Sequence, residues 1–300
     1  MPGAGAVLGV DVGGTGVKAR LTGADGLVLD EVRVPTPRDD PDAARLAHLV
    51  ADLTARALAR GAVDAVGLVT PGIVDDDAGT VVLAVNLGWR DLPIRDRVRT
   101  EFVRRGIDVP LASGHDVRAG ALAETAADPA LRRGAVAFVP VGTGLASALV
   151  VDGSVVSGGG WAGEIGQVRI PAGPHVGLRV EEIASAGGVA RRSGAASAQE
   201  AVQRVRSGDP VAVAAWAECV DVLADALAWT TAVSGCHTII VGGGLAGAGA
   251  QLFEPLRAAV AERLDGLRVP AVVPARHGDV AGAIGAGLLA WRLVRTGVPA

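Results

Sequence analysis

Residues 8–18, LGVDVGGTGVK, contain the residue types that bind a polyanion. Gly13 and Gly14 follow a short apolar run. Glycine takes backbone angles closed to other residues and leaves no side chain in the way, so amides there can approach phosphate closely. Thr15 adds a hydroxyl donor and Lys18 a charge. Asp11, at the mouth of the run, suits the magnesium that travels with a nucleotide rather than the phosphate itself. Lys18 is the only lysine among 28 basic residues; its position supports the same loop, although a lone lysine must fall somewhere.

Four further stretches carry chemistry. In residues 113–124, SGHDVRAGALAE, Asp116 stands where a strand gives way to a helix, which makes it either an N-cap or a general base, with equal weight. Gly142-Thr143-Gly144 joins two apolar runs. It is either a tight hairpin or a second phosphate loop, and it repeats the chemistry of Gly14-Thr15-Gly16. Glu164 lies in GGGWAGEIGQ, a flexible loop or a polyol-binding carboxylate among small residues. Gly242-Gly243-Gly244 follows an apolar run and turns it into a helix that includes Leu252, Leu256 and Val260, a generic phosphate platform.

The elements that position these residues are legible from periodicity. After Lys18 the alternation around Asp25-Gly26 predicts a β-hairpin. That disfavours a dinucleotide fingerprint over residues 14–19, which must open a helix; nor is there a Gly-Lys-Ser/Thr of a P-loop. The spacing predicts an amphipathic helix over 41–60, with Leu46, Leu49, Val50, Leu53 and Leu58 on its apolar stripe. A buried strand over 63–69 delivers the turn Thr70-Pro71-Gly72, whose small residues let a ligand lie against the backbone. Asp75 to Asp77 read as a solvated loop. The segment up to Gly106 reads as a helix, residues 135–156 as two strands, 210–234 as a long helix with Cys219 in its core, 237–241 as a strand, and 281–291 as a small-residue helix.

Bulk properties narrow the function. At 300 residues two domains are expected, and 50% apolar against 20% charged residues is ample for large cores. A net charge of -4 gives no basic field for nucleic acid. The two cysteines, Cys219 and Cys236, make no Cys-x-x-Cys pair, which points to a reduced, cytoplasmic protein without a structural zinc. The opening residues lack the features of a secretory signal. The uncharged run 226–253 is long enough to span a membrane, but Ser234-Gly235 and the three glycines break it, so no membrane segment is expected.

With these pieces in place the chain resembles the ROK family of sugar kinases, glucokinases included, within the actin-like ATPase superfamily. The resemblance rests on the order and spacing of DVGGTGVK, TPGIVDDDAGTVVLAVNLGW, HDVRAGALAE, GTGLASALVVDGSVVSGGGWAGEIG, EEIAS and IIVGGGLAGAG. It implies an α/β fold of two actin-like, ribonuclease H-like domains closing over a cleft. The smaller would take residues 1–114 with the C-terminal helix 288–300, the larger 115–287. It implies ATP and Mg2+ as cofactors, with Asp11 holding the metal through water. Gly13, Gly14, Thr15, Lys18, Gly142 and Thr143 would meet the phosphates, and Gly243 and Gly244 the adenosine. Asp116 would be the catalytic base, taking the proton from a sugar hydroxyl, O6 in most members. Gly72, Asn86, His115, Glu164, Gln167 and Glu181 would contact the sugar. A homodimer without nucleic-acid or membrane partners is implied as well.

The chain departs from the family pattern in three places. Members usually have Asn-Asp for His115-Asp116 and a histidine at Gln167, and they commonly carry a cysteine zinc loop before Glu181. Residues 171–182, PAGPHVGLRVEE, hold no cysteine, so no zinc is expected. Glucose is the default acceptor. An aminosugar such as kanosamine or a cyclitol is the alternative, because His115 and Gln167 alter the hydrogen-bonding pattern at the sugar. A catalytically silent sugar-binding protein is the remaining reading, and a DNA-binding repressor is disfavoured because the phosphate loop begins by residue 11.

Overall fold

The computed structural model describes residues 5–297. Residues 1–4 and 298–300, part of the expected smaller domain, lie outside the described residues. The chain forms two compact units. One takes residues up to 123, 157–161 and those from 280 onward; the other takes 124–156 and 162–279.

In the first unit, β1 (Ala6–Val12), β2 (Gly16–Gly23) and β3 (Val28–Pro35) form an antiparallel meander, as the Asp25-Gly26 signal predicts. Helix α1 (Ala44–Leu58) follows, then β4 (Ala65–Thr70), a small antiparallel sheet of β5 (Ile73–Asp75), β6 (Thr80–Ala84) and β7 (Trp89–Leu92), α2 (Ile94–Arg104), β8 (Leu111–His115) and α3 (Asp116–Ala126). The main sheet has the order β3-β2-β1-β4-β8, with β4 and β8 parallel to β1. Alternation along the strands loads both faces. Leu8, Val10, Val12 and Leu68 pack with Leu46, Val50 and Phe102 on one side. Val7, Val69 and Ala112 pack with Ala286, Leu289 and Leu293 of the C-terminal helix (Ala281–Thr296) on the other.

In the second unit, β9 (Ala135–Pro140), β10 (Ala148–Val151) and β11 (Ser154–Val155) are again antiparallel. Four helices follow: α4 (Val180–Ile183), α5 (Ala186–Ser193), α6 (Ala198–Arg206) and α7 (Pro210–Ser234). Then come β12 (Thr238–Gly242), α8 (Gly243–Ala246), α9 (Ala250–Arg263) and β13 (Ala271–Pro274). The sheet order β11-β10-β9-β12-β13, with β12 parallel to both β9 and β13, repeats that of the first unit strand for strand. The repeat is that of the two actin-like ATPase domains. Cys219, on the inward face of α7, is fully buried, and burial pushes its thiol up to about 12.

Several elements differ from the sequence reading. Helix α1 starts at Ala44 rather than 41, because the Asp40 carboxylate accepts from the amides of Arg45 and Leu46; Leu58, placed on the apolar stripe, is exposed. The glycine run after β12 opens only the single turn α8. Gly247 and Gly249, the latter with φ of 61°, separate it from α9 and its apolar stripe. The compact units are bounded at 123/124 and 279/280, where the expectation placed domain boundaries at 114/115 and 287/288. The C-terminal helix packs along its length with the first sheet. A Cβ on Gly9 would stand 2.1 Å from the carbonyl oxygen of Ala283, and one on Gly67 only 1.9 Å from that of Ala286. Among the described residues, no helix is long and apolar enough to cross a membrane.

Backbone-to-backbone packing of this kind leaves nothing to yield. Gly67→Ala is therefore expected to lower unfolding free energy by about 3 kcal/mol, as measured by denaturant titration.

Candidate active site

In the first unit the parallel strands β1, β4 and β8 end together. Asp11 pairs in register with Val69, and Val69 with Gly114. Asp11 and Gly114 are thus two strands apart on one row, about 10 Å at the usual interstrand spacing. Asp116 stands two residues further on and opens α3. In open α/β sheets this carboxyl edge is where ligands bind.

The Asp11 carboxylate lies against the first turn of the C-terminal helix. A Cβ on Gly282 would be 2.6 Å from it, so only glycine leaves room. Lys18 is its register partner across β1 and β2, which places the two side chains on one face of the sheet. The loop between these strands is tied down by Thr36. Its hydroxyl donates to the carbonyl of Gly13 at 2.6 Å, and its amide to that of Thr15 at 3.2 Å. Gly14 and Thr15 are exposed. Neither Gly13 nor Gly14 takes a positive φ, which corrects the conformational argument made for them. Gly14 offers openness, since a Cβ there would meet only the Cβ of Asn86, at 3.9 Å, whereas one on Gly13 would come within 3.1 Å of the carbonyl oxygen of Gly16. Gly14 and Asn86 border a cavity of about 770 Å³ that Arg38, Asp39 and Leu87 also line. Gly72 has φ of 99°, and a Cβ there would come within 2.2 Å of the carbonyl oxygen of Leu83, so that turn admits only glycine.

Asp116 accepts from the amide of Val117 at 2.7 Å, and its side chain is 25% exposed. His115, at the end of β8, is buried. Its Nε2 lies 3.3 Å from Asp116 Oδ1, and its Nδ1 3.4 Å from the amide of Arg118. Desolvation and the nearby Arg118 cation hold the imidazole down to about 3, so it is neutral at physiological pH.

Arg118 was missed by the sequence reading. It is 3% exposed and grips Asp76 with two bonds, Nε to Oδ2 at 3.1 Å and Nη2 to Oδ1 at 2.9 Å. It also donates to the carbonyl of Val74 at 2.7 Å. The triple aspartate is thus no uniform solvated run: burial raises the Asp76 carboxyl above its usual range, and the Arg118 hydrogen bonds offset part of that shift. The available signal was a lone arginine in the apolar, small-residue helix DVRAGALA.

The remaining candidates lie in the second unit. Gly242 pairs with Pro140, which sets the turn at Gly243 and Gly244 beside Gly142 and Thr143. The amide of Val141 donates to the carbonyl of Gly242 and that of Leu245 to the carbonyl of Val141. Gly243 has φ of 76°, while Gly142 and Gly244 face open space. Thr143 is exposed. Glu181 joins this loop to the glycine-rich stretch: its Oε2 accepts from the amide of Leu145 at 3.4 Å, and its Oε1 from Gln167 Nε2 at 2.9 Å. Glu164 opens the short turn that carries Gln167. Among the described residues no group of three or more His, Cys, Asp or Glu side chains is placed to hold a metal ion. A lone hard carboxylate such as Asp11 fits magnesium that is shared with phosphate oxygens.

A model of the ROK family matches residues 7–292. A glucokinase of Halalkalibacterium halodurans is 28% identical, over 94% of this chain and 94% of its own. An N-acetylmannosamine kinase of Escherichia fergusonii is 33% identical, over 94% and 97%. The structure of a ROK family glucokinase from Streptomyces griseus in complex with glucose and AMPPNP matches with a TM-score of 0.80 at 28% identity, covering 96% of this chain and 100% of that one.

Two measurements check the buried charges. Asp76→Ala strands the Arg118 cation and is expected to cost about 3 kcal/mol of stability, read by denaturant titration. His115 binds a proton in the unfolded chain near pH 6.5 but in the folded chain only near pH 3. Its contribution is therefore fully present above pH 6.5 and is lost as pH falls toward 3, about 2 kcal/mol by pH 5. Unfolding free energy of His115→Asn should lack that part of the slope.

Proposed function

This chain belongs to the ROK family, and on that premise we propose that it is a sugar kinase, transferring the γ-phosphoryl group of ATP to a hydroxyl, O6, of a hexose or hexose-like acceptor. The observation that carries the reading is the shared strand edge, with a metal-suited carboxylate at Asp11 and a second carboxylate at Asp116 some two strands away.

Asp116 takes the proton of the sugar hydroxyl as its oxygen attacks the γ-phosphorus. The new O–P bond forms as the bond from phosphorus to the β–γ bridging oxygen breaks, and ADP leaves with that electron pair. Such transfer depends mainly on positioning and charge neutralisation. Magnesium, held through water by Asp11, would supply neutralisation on the phosphates. Gly13, Gly14, Thr15 and Lys18 of the first unit, and Gly142 and Thr143 of the second, offer open backbone, hydroxyls and one cation to the phosphate chain. The open face of Gly244 beside Gly243 is assigned to the adenosine. Gly72 and Asn86 in one unit, and Glu164, Gln167 and Glu181 in the other, are assigned to the sugar.

The acceptor class extends to aminosugars and cyclitols. Gln167 donates to Glu181, so an amide rather than an imidazole sets the hydrogen-bonding pattern at that carboxylate. One relative acts on N-acetylmannosamine, as its name states.

Formation of the phosphorylated acceptor should be assayed with ATP or polyphosphate across hexoses, aminosugars and cyclitols, with and without Mg2+. Turnover of at least one acceptor is expected, with kcat lowered about 100-fold or more in Asp116→Asn. No phosphorylated product from any acceptor with either donor would sink the kinase reading in favour of a silent sugar-binding protein.

A further inference from the structure

Resting on the kinase reading, we propose that His115 is a positioning residue: it donates its Nε2 hydrogen to Asp116 Oδ1, holds that carboxylate in one orientation for proton transfer, and does not itself touch the sugar. This revises the sugar-contact role that the resemblance implies for the position.

The tautomer follows from the partners. The Arg118 amide can only donate, so His115 Nδ1, 3.4 Å away, accepts. In a neutral ring the single hydrogen is then on Nε2, and the atom that faces it is Asp116 Oδ1 at 3.3 Å. The charged groups around the ring are few. Asp116 beside Nε2 favours an imidazolium; Arg118, one turn along α3, opposes it, and so does burial. Asp76, from the turn after β5, grips Arg118 and accepts from the backbone amide of His115. Strand β4 presents Thr70 as register partner, which is uncharged. Burial and Arg118 prevail, and the ring stays neutral. Exposure separates the two side chains: 5% for His115 against 25% for Asp116, so the carboxylate is the one open to an acceptor. Asp76, Arg118, His115 and Asp116 thus form a chain in which a buried ion pair fixes a cation, burial together with that cation keeps a ring neutral, and the neutral ring orients the base.

The test uses the full chain. Long-range 1H–15N spectra of the free protein should show His115 as the neutral Nε2–H tautomer from pH 7 to pH 5, with the Nε2 resonance displaced in Asp116→Asn. An Nδ1–H tautomer, or an imidazolium at pH 6, overturns the proposal whether or not any sugar is phosphorylated. With an acceptor that turns over, His115→Phe should lower kcat about tenfold, move the acid limb of kcat/KM up by about half a pH unit, and change the sugar KM by less than about twofold. His115→Asn, whose amide can donate, should recover most of the loss. A raised KM at unchanged kcat overturns the proposal in favour of direct sugar contact. Should the Phe variant fail to fold, the wild-type and Asp116→Asn spectra decide. Absence of turnover in the wild type defeats only the kinase reading, and the spectra still test the bond.

Discussion

At two points no side chain separates the C-terminal helix from the middle of the first sheet. Gly9 and Gly67 bring β1 and β4 against the carbonyls of Ala283 and Ala286, and the strand ends that carry Asp11, Thr70 and His115 are held by that contact. Gly282 extends it to the chemistry by giving the Asp11 carboxylate a place against the helix's first turn, where backbone amides and the peptide dipoles favour an anion. A side chain at any of these positions would move a strand end, and with it a candidate ligand. The glycine content of this chain is thus partly a positional constraint on its carboxylates.

A second constraint is electrostatic. Burying a guanidinium is costly unless its donors are met, and Arg118 meets them with a bidentate carboxylate and a carbonyl. The result joins α3 to the turn after β5 and places a fixed positive charge two residues along α3 from Asp116. Burial first, and that charge second, keep the histidine next to this carboxylate neutral rather than paired as an ion. In the second unit the corresponding organiser is a neutral-to-charged hydrogen bond, Gln167 to Glu181, set against the backbone of the second glycine-threonine loop.

Much of this was legible in the sequence. Hairpins, the long α7 and the repeated glycine-threonine turns follow from period, turn residues and spacing, and the two sheets confirm the duplication. What escaped was set by tertiary contacts. The strands β5, β6 and β7 span three to five residues each and include a charged run, so no local pattern marks them. Asp76 and Arg118 are 42 residues apart, and nothing local distinguishes Asp76 from its two exposed-looking neighbours. Thr36 anchors the first loop from beyond the next two strands. At Gly13 and Gly14 the two reasons given fare differently: neither residue takes an unusual φ, while the missing side chain does leave Gly14 open.

The C-terminal helix also imposes an order on biosynthesis. The strands it covers are translated by residue 115, but the helix itself runs from 281 to 296, after every strand of both units. At about 5–20 residues per second, the intervening stretch of roughly 160 residues takes on the order of ten to thirty seconds. During that interval the face lined by Val7, Val69 and Ala112 has no lid. The second unit, encoded almost entirely within that stretch, has all its strands in hand first. The nascent chain therefore presents an apolar sheet face to the ribosome surface and to chaperones until its final helix emerges.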